Sequence, residues 1–97
     1  MTIGTSDQPD NEAAQRRRLL FQSRHRGTKE LDLILGPFAE RHLAGFGPVE
    51  LGQYAVLLAE PDPDIYAWLV GSAPPPARLD NPVMRLLLAF RIVDRRP

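Results

Sequence analysis

The stretch Thr28-Lys29-Glu30-Leu31-Asp32-Leu33-Ile34-Leu35-Gly36-Pro37-Phe38-Ala39 decides the fold class. Leu31, Ile34, Leu35, Phe38 and Ala39 recur at i, i+3, i+4, i+7 and i+8, the stripe of an amphipathic helix, where a strand would alternate. Thr28 stands where an N-cap belongs, and Glu30 falls in the first turn, where the helix dipole favours an acid. Gly36-Pro37 sits inside the stripe. Proline lacks a backbone donor and crowds the preceding turn, so a kink or a short break is expected there. The helix then resumes to Leu43 and ends at Gly45.

The same signals repeat on either side. Upstream, a helix is expected from about Asp10 to Arg24, with Asp10 as N-cap and Glu12 in the first turn. Its apolar residues Leu19, Leu20 and Phe21 cluster at the end, so its first half should fray; Gly27 follows as a stop able to turn left-handed. Downstream, Gly47-Pro48 opens a third helix with Leu51, Tyr54, Ala55 and Leu58 on one face, stopped by Pro61. Asp62-Pro63-Asp64 opens a fourth, with Asp62 as cap, Ile65, Trp68 and Leu69 inward, and Gly71 as its end. Ala73-Pro74-Pro75-Pro76 is a stiff connector. Asn81-Pro82 opens a fifth helix whose core face is Val83, Leu86, Leu87 and Phe90. Leucine and alanine dominate, β-branched residues are sparse, and no strand pattern competes. The expected architecture is all-α: a compact five-helix bundle, one domain over 11–93, with a disordered N-terminal tail at 1–10 and a basic C-terminal tail at 94–97.

A chain of 97 residues and 10.9 kDa, 43% hydrophobic and 25% charged, is ordinary globular material for a single domain. Twelve basic and twelve acidic side chains cancel, so bulk charge argues for neither a nucleic-acid nor a membrane partner. Without cysteine there are no disulfides, thiolate zinc sites, cysteine-ligated clusters or cysteine nucleophile. The start is polar and carries no secretory pattern, and Val83 to Val93 is too short and too charged to span a bilayer. A soluble cytoplasmic protein is expected.

Catalytic patterns are weak. His25 and His42 lack metal-spaced partners, no serine elbow or phosphate loop is present, and Asp62 and Asp64 read as helix-start residues before they read as an acid/base pair. No catalytic or metal-binding residue is therefore assigned. Charge is balanced globally but not locally. Asn11 to Glu30 holds Arg16, Arg17, Arg18, Arg24, Arg26 and Lys29 against Glu12 and Glu30, whereas Glu50 to Asp64 holds only acids. These are either two solvated helix faces or a basic docking edge for an acidic partner. The most informative stretch is Arg24-His25-Arg26-Gly27-Thr28-Lys29-Glu30-Leu31-Asp32, which joins the first two helices. Gly27 is a helix stop or a point of close backbone approach. Arg26 carries a planar five-donor fork, and Glu30 can pair with it or with a partner.

That stretch resembles the FAD assembly factor family of succinate dehydrogenase, which includes the mitochondrial succinate dehydrogenase assembly factor 2. The family's Arg-Gly-x-x-Glu motif matches Arg26, Gly27 and Glu30. Three fixed residues alone would recur by chance in about one chain in fifty of this length. The context adds specificity: Leu31-Asp32 continues the motif, Pro37-Phe38 and Glu40 follow, then Tyr54 to Glu60, Pro61-Asp62-Pro63-Asp64 and Trp68-Leu69. The resemblance covers about Arg17 to Arg91. His25 stands where an arginine often does, and Gly45-Phe46-Gly47-Pro48 replaces a more polar turn.

The resemblance implies a five-helix, all-α chaperone that is not itself an enzyme. Such a factor binds the flavoprotein subunit of succinate dehydrogenase, and in some bacteria that of fumarate reductase, and promotes covalent attachment of FAD to it. FAD would be attached to the partner and not bound stably here. Arg26, Gly27 and Glu30 inherit the functional role, with Arg24, His25, Lys29 and Asp32 as flanking contacts. Three rival readings remain: a helical nucleic-acid-binding or general protein-interaction module using the arginines, a small enzyme using His25 and Glu30, and a flavin carrier stacking the ring on Tyr54, Tyr66 and Trp68.

Overall fold

A computed structural model describes the backbone of residues 3–94 and the side chains of residues 12–90. Five helices follow one another: α1 (Ile3–Arg24), α2 (Lys29–His42), α3 (Pro48–Leu58), α4 (Asp62–Val70) and α5 (Pro82–Asp94). Short 3-10 turns occupy Leu43–Gly45 and Ala77–Leu79, and no strand occurs among the described residues. The all-α, five-helix expectation is met.

The α2 stripe organises the core. Leu31, Ile34, Leu35, Phe38 and Ala39 are all buried, as the periodicity requires. Phe38 is the aromatic hub, with its ring 5.6 Å from both Tyr54 of α3 and Phe90 of α5. Ile65, Trp68 and Leu69 of α4 close one end, and Leu19 is α1's buried contribution. Apolar burial at about 25 cal/mol per Å² is the main force holding these short helices together.

Local signals placed most boundaries. Asn81 caps α5, its Oδ1 accepting the Met84 N–H at 2.9 Å. Pro48 opens α3, where Glu50 Oε1 accepts the Gly47 N–H at 2.9 Å. Gly71 ends α4 at φ 85°, a conformation that costs other residues steric strain.

Several expectations are corrected. No break occurs at Pro37: α2 runs through it from Lys29 to His42. The carbonyl left without a donor belongs to Leu33; Leu33 and Pro37 are both exposed, so water can satisfy it. Helix α1 starts at Ile3, upstream of the expected cap Asp10, because a cap preference of about 1 kcal/mol does not by itself end a helix. The expected tail at 1–10 therefore overlaps α1 from Ile3 onward, and residues 1–2 and 95–97 lie outside the described residues. On α5, Leu86 is 40% exposed, and Met84 takes the core place expected for it. The buried set Val83, Met84, Leu87 and Phe90 keeps helical spacing, and Leu86 lies off that stripe. Thr28 holds the N-cap position of α2 but makes no side-chain cap bond. Asp62 is not a cap: Pro61 fills that position and Asp62 is the first helical residue of α4.

Candidate functional site

The bend between α1 and α2 is built around Arg26 and Gly27. Gly27 has φ 101°, the left-handed region in which a Cβ is strained. It faces open space, since a Cβ built there would meet nothing within 4 Å. The helix-stop reading of Gly27 is thus met, and its exposure leaves room for another backbone to approach.

Arg26 points the other way. Its backbone N–H donates to Asp32 Oδ1 at 2.8 Å, tying the bend to the first turn of α2. Its guanidinium crosses to the corner between α3 and α4. Nε and Nη2 both donate to Asp62 Oδ1, at 2.9 and 2.5 Å. Nη1 donates to the Leu58 carbonyl at 2.5 Å and Nη2 to the Glu60 carbonyl at 3.1 Å. The Leu58 carbonyl ends α3, where helical geometry leaves it without an intrahelical donor and with partial negative charge, and the Glu60 carbonyl lies just beyond, in the turn to α4. The rigid fork of arginine suits three acceptors at once, and a lysine ammonium would not reproduce it. The side chains of Arg26 and Asp62 are only 13% and 27% exposed.

Glu30 is exposed in the first turn of α2, with no bonded partner among the described residues. It lines an open groove of about 350 Å³ together with Thr28, Leu31, Asp62, Pro63 and Tyr66. The motif is therefore divided: Arg26 reaches inward to another helix corner, while Gly27 and Glu30 face outward on the bend that it holds. Of the flanking residues, Asp32 receives the Arg26 N–H, and Arg24 pairs with Glu40 through bonds of 3.0 and 2.6 Å. His25 lies against the Phe21 ring at 4.3 Å, and Lys29 is exposed.

Sequence reasoning missed Asp62 and the two carbonyls. The available signal was the acid-only run from Glu50 to Asp64 facing a basic run; the cap-like Asp-Pro-Asp pattern concealed it. The basic docking edge needs correction as well. Arg16 donates to the Leu43 and Phe46 carbonyls at 3.1 and 2.7 Å, so Arg16, Arg24 and Arg26 are engaged within the chain. Arg17 and Arg18 remain exposed.

Beneath the bend, Ser23 Oγ donates to the Leu19 carbonyl at 2.7 Å, and the buried Tyr54 hydroxyl donates in turn to Ser23 Oγ. That direction follows because the serine has one proton to give. Burial pushes the Tyr54 phenol up to about 12, despite the opposing influence of the Ser23 bond and the Arg26 charge. Tyr54 and Trp68 are core residues and only Tyr66 is exposed, so the three offer no common face to a flavin ring. Among the described residues there is no group of three side chains placed to hold a metal ion, and no helix is long and apolar enough to cross a membrane.

Comparison with known proteins bears on this same region. A family model described as flavinator of succinate dehydrogenase matches residues 17–91, the whole of the bend, the groove and the α3–α4 corner. The chain belongs to this flavinator family. Its relatives include the FAD assembly factor SdhE of Acetobacter pasteurianus, 39% identical over 79 residues, covering 81% of this chain and 72% of that protein. The mitochondrial succinate dehydrogenase assembly factor 2 of Debaryomyces hansenii is 56% identical over 54 residues, covering 56% of this chain and 38% of the relative. That of Dictyostelium discoideum is 39% identical over 72 residues, covering 74% and 51%. The chain thus spans between 38% and 72% of the length of these flavinator relatives.

Proposed function

We propose that this chain is an assembly factor that binds the flavoprotein subunit of succinate dehydrogenase and promotes covalent attachment of FAD to it. One observation carries the reading. The family match spans a bend whose arginine is anchored inside the fold and whose glycine and glutamate are presented outside it. Such a bend is a rigid, low-profile surface suited to pressing against another protein.

The chain would act by positioning. Holding a nucleophilic side chain and a reactive carbon in near-attack geometry is worth up to ~7–11 kcal/mol in favourable intramolecular cases. In this reading FAD is the partner's cofactor, the chain holds none stably, and the reacting groups all belong to the partner. The chain then needs no turnover of its own. The flavoprotein subunit of fumarate reductase is a second client of the same chemistry, and the cytoplasmic location expected from the sequence is kept as part of the proposal.

The test is co-expression of the flavoprotein subunit with and without this chain, scored by flavin fluorescence in denaturing gels. Covalent flavin should rise with the chain present. Equal covalent flavin in both conditions would overturn the reading.

A further inference from the structure

Helix α2 has the bend at its start and a separate concavity at its end. The concavity holds about 320 Å³ and lies between the last turn of α2, the 3-10 turn at Leu43–Gly45 and the starts of α3 and α5. The 14 residues of α2, rising about 1.5 Å each, set it roughly 20 Å from the bend. Its walls are apolar: the Phe46 ring, Pro82, and Leu86 at 40% exposure. Gly45 keeps the mouth wide, since a Cβ there would meet nothing within 4 Å. Two opposite charges line the same space, Arg41 from α2 and Glu50 from α3. Neither forms an ion pair among the described residues, so they stand more than ~4 Å apart. The Arg41 guanidinium carbon lies 5.4 Å from the centre of the Phe90 ring, a stacking that occupies none of its five N–H donors. Glu50 gives Oε1 to the Gly47 N–H and keeps Oε2. His42 packs its ring 4.8 Å from Phe38 and 6.2 Å from Phe46. Burial and the Arg41 charge push its pKa down, so it is neutral at neutral pH and leaves the concavity one positive and one negative group.

We infer that this concavity is a binding site for a free α-amino acid with an apolar side chain, whose carboxylate meets Arg41, whose ammonium meets Glu50 and whose side chain covers Phe46 and Leu86. The inference stands apart from the function proposed above, because none of these residues belongs to the bend or its groove. Charge complementarity selects the ligand. A dicarboxylate or a nucleotide satisfies Arg41 but is repelled by Glu50, and a polyamine satisfies Glu50 but is repelled by Arg41. An α-amino acid carries both charges on one carbon and can bridge the gap that the two side chains leave open, each end making charge-assisted hydrogen bonds. The planar fork of Arg41 suits a carboxylate in particular. The volume is at the low end of the ~300–1,000 Å³ usual for ligand sites, room for one amino acid but not for a cofactor. The apolar walls favour an aliphatic or aromatic side chain over a polar one. Part of so small a ligand stays in water, so the affinity is on the order of millimolar.

The experiment titrates leucine into the full chain, isotope-labelled, and follows its backbone amides by NMR at neutral pH. Saturable shifts should centre on His42, Gly45, Phe46 and Glu50 and leave Gly27 and Glu30 in place. N-acetyl-leucine lacks the ammonium and leucinamide lacks the carboxylate, and each should bind at least ~tenfold more weakly than leucine. Arg41→Gln and Glu50→Gln should each weaken leucine binding by at least ~tenfold as well. The glutamine at 50 keeps an acceptor for the Gly47 N–H, and helicity is checked for both variants. Leu86→Ser should weaken leucine while leaving glycine unaffected. Absence of saturable shifts at leucine concentrations well above millimolar overturns the site. Equal binding of N-acetyl-leucine or of leucinamide overturns it too, since one charge alone would then suffice. Shifts that centre on the bend instead would place the ligand elsewhere and overturn it likewise. The probe is a free amino acid, so each of these results leaves the proposed action on the flavoprotein standing.

Discussion

Arg26 and Asp62 join the α1–α2 bend to the start of α4 across 36 positions of sequence, with two guanidinium nitrogens on one carboxylate oxygen. The same guanidinium caps the end of α3 through the Leu58 carbonyl and holds the Glu60 carbonyl in the turn to α4. One side chain thereby fixes where the bend sits relative to the groove, and the outward residues Gly27 and Glu30 depend on it for their placement. The arginine of the motif works as a strut that holds Gly27 and Glu30 on the outer surface of the bend.

Removing either end of that strut should loosen the bend. Arg26→Ala strands a mostly buried carboxylate, the helix-end carbonyl of Leu58 and the turn carbonyl of Glu60, so a loss of about 2 kcal/mol in unfolding free energy is expected, below the value for a fully buried pair because both side chains keep some solvent. Asp62→Asn keeps an acceptor in place and should cost about half as much. Urea denaturation reads both. If neither variant moves the midpoint, the strut contributes nothing to the fold.

Gly27 separates strain from contact. Alanine there meets no neighbour, so Gly27→Ala should cost only the left-handed backbone penalty of about 1–2 kcal/mol. Gly27→Leu should cost little more in stability and leave helicity intact, yet should abolish stimulation of flavinylation, because the added bulk stands where a partner would approach. Circular dichroism together with covalent-flavin fluorescence makes the comparison. Full stimulation by Gly27→Leu would remove the bend from the interface.

The fold was legible where its causes are local. The α2 stripe, the Asn81 cap and the left-handed Gly71 each act within a few residues, and each is in place. What was not legible depends on distant residues. Asp62 before a proline looks like a cap, and only the approach of Arg26 from another helix shows its carboxylate is engaged elsewhere. Pro37 reads as a break because its local cost is visible, while the packing of Ile34, Leu35 and Phe38 that carries the helix through it is tertiary. The resemblance located the motif, but which of its residues face inward is a matter of geometry that spacing does not encode.

Pro37 yields a prediction of opposite sign. An alanine in its place restores an N–H for the Leu33 carbonyl and removes the clash with the preceding turn. The lost restriction on the unfolded chain offsets part of this. Pro37→Ala should therefore stabilise the protein by about 1 kcal/mol or more, seen as a higher urea midpoint. A lower midpoint would mean that the proline ring itself packs favourably on α2.

Tyr54 links burial to pH. Its folded value of about 12 lies above the ordinary 10.0, so the native state holds the phenol proton more tightly than the unfolded chain does. The sign follows from linkage: this contribution is fully present below pH 10, and stability falls as pH rises toward 12, because the unfolded chain ionises first. A shift of that size corresponds to about 2–3 kcal/mol lost over the window. Tyr54→Phe should remove this part of the alkaline loss. At neutral pH it should cost about 1 kcal/mol, because Ser23 keeps its bond to the Leu19 carbonyl and loses only the donor from Tyr54. Unfolding free energies of both proteins at pH 9 and pH 11.5 test it. Wild type should lose more than Tyr54→Phe between the two, and parallel losses would show that the phenol does not carry the alkaline sensitivity.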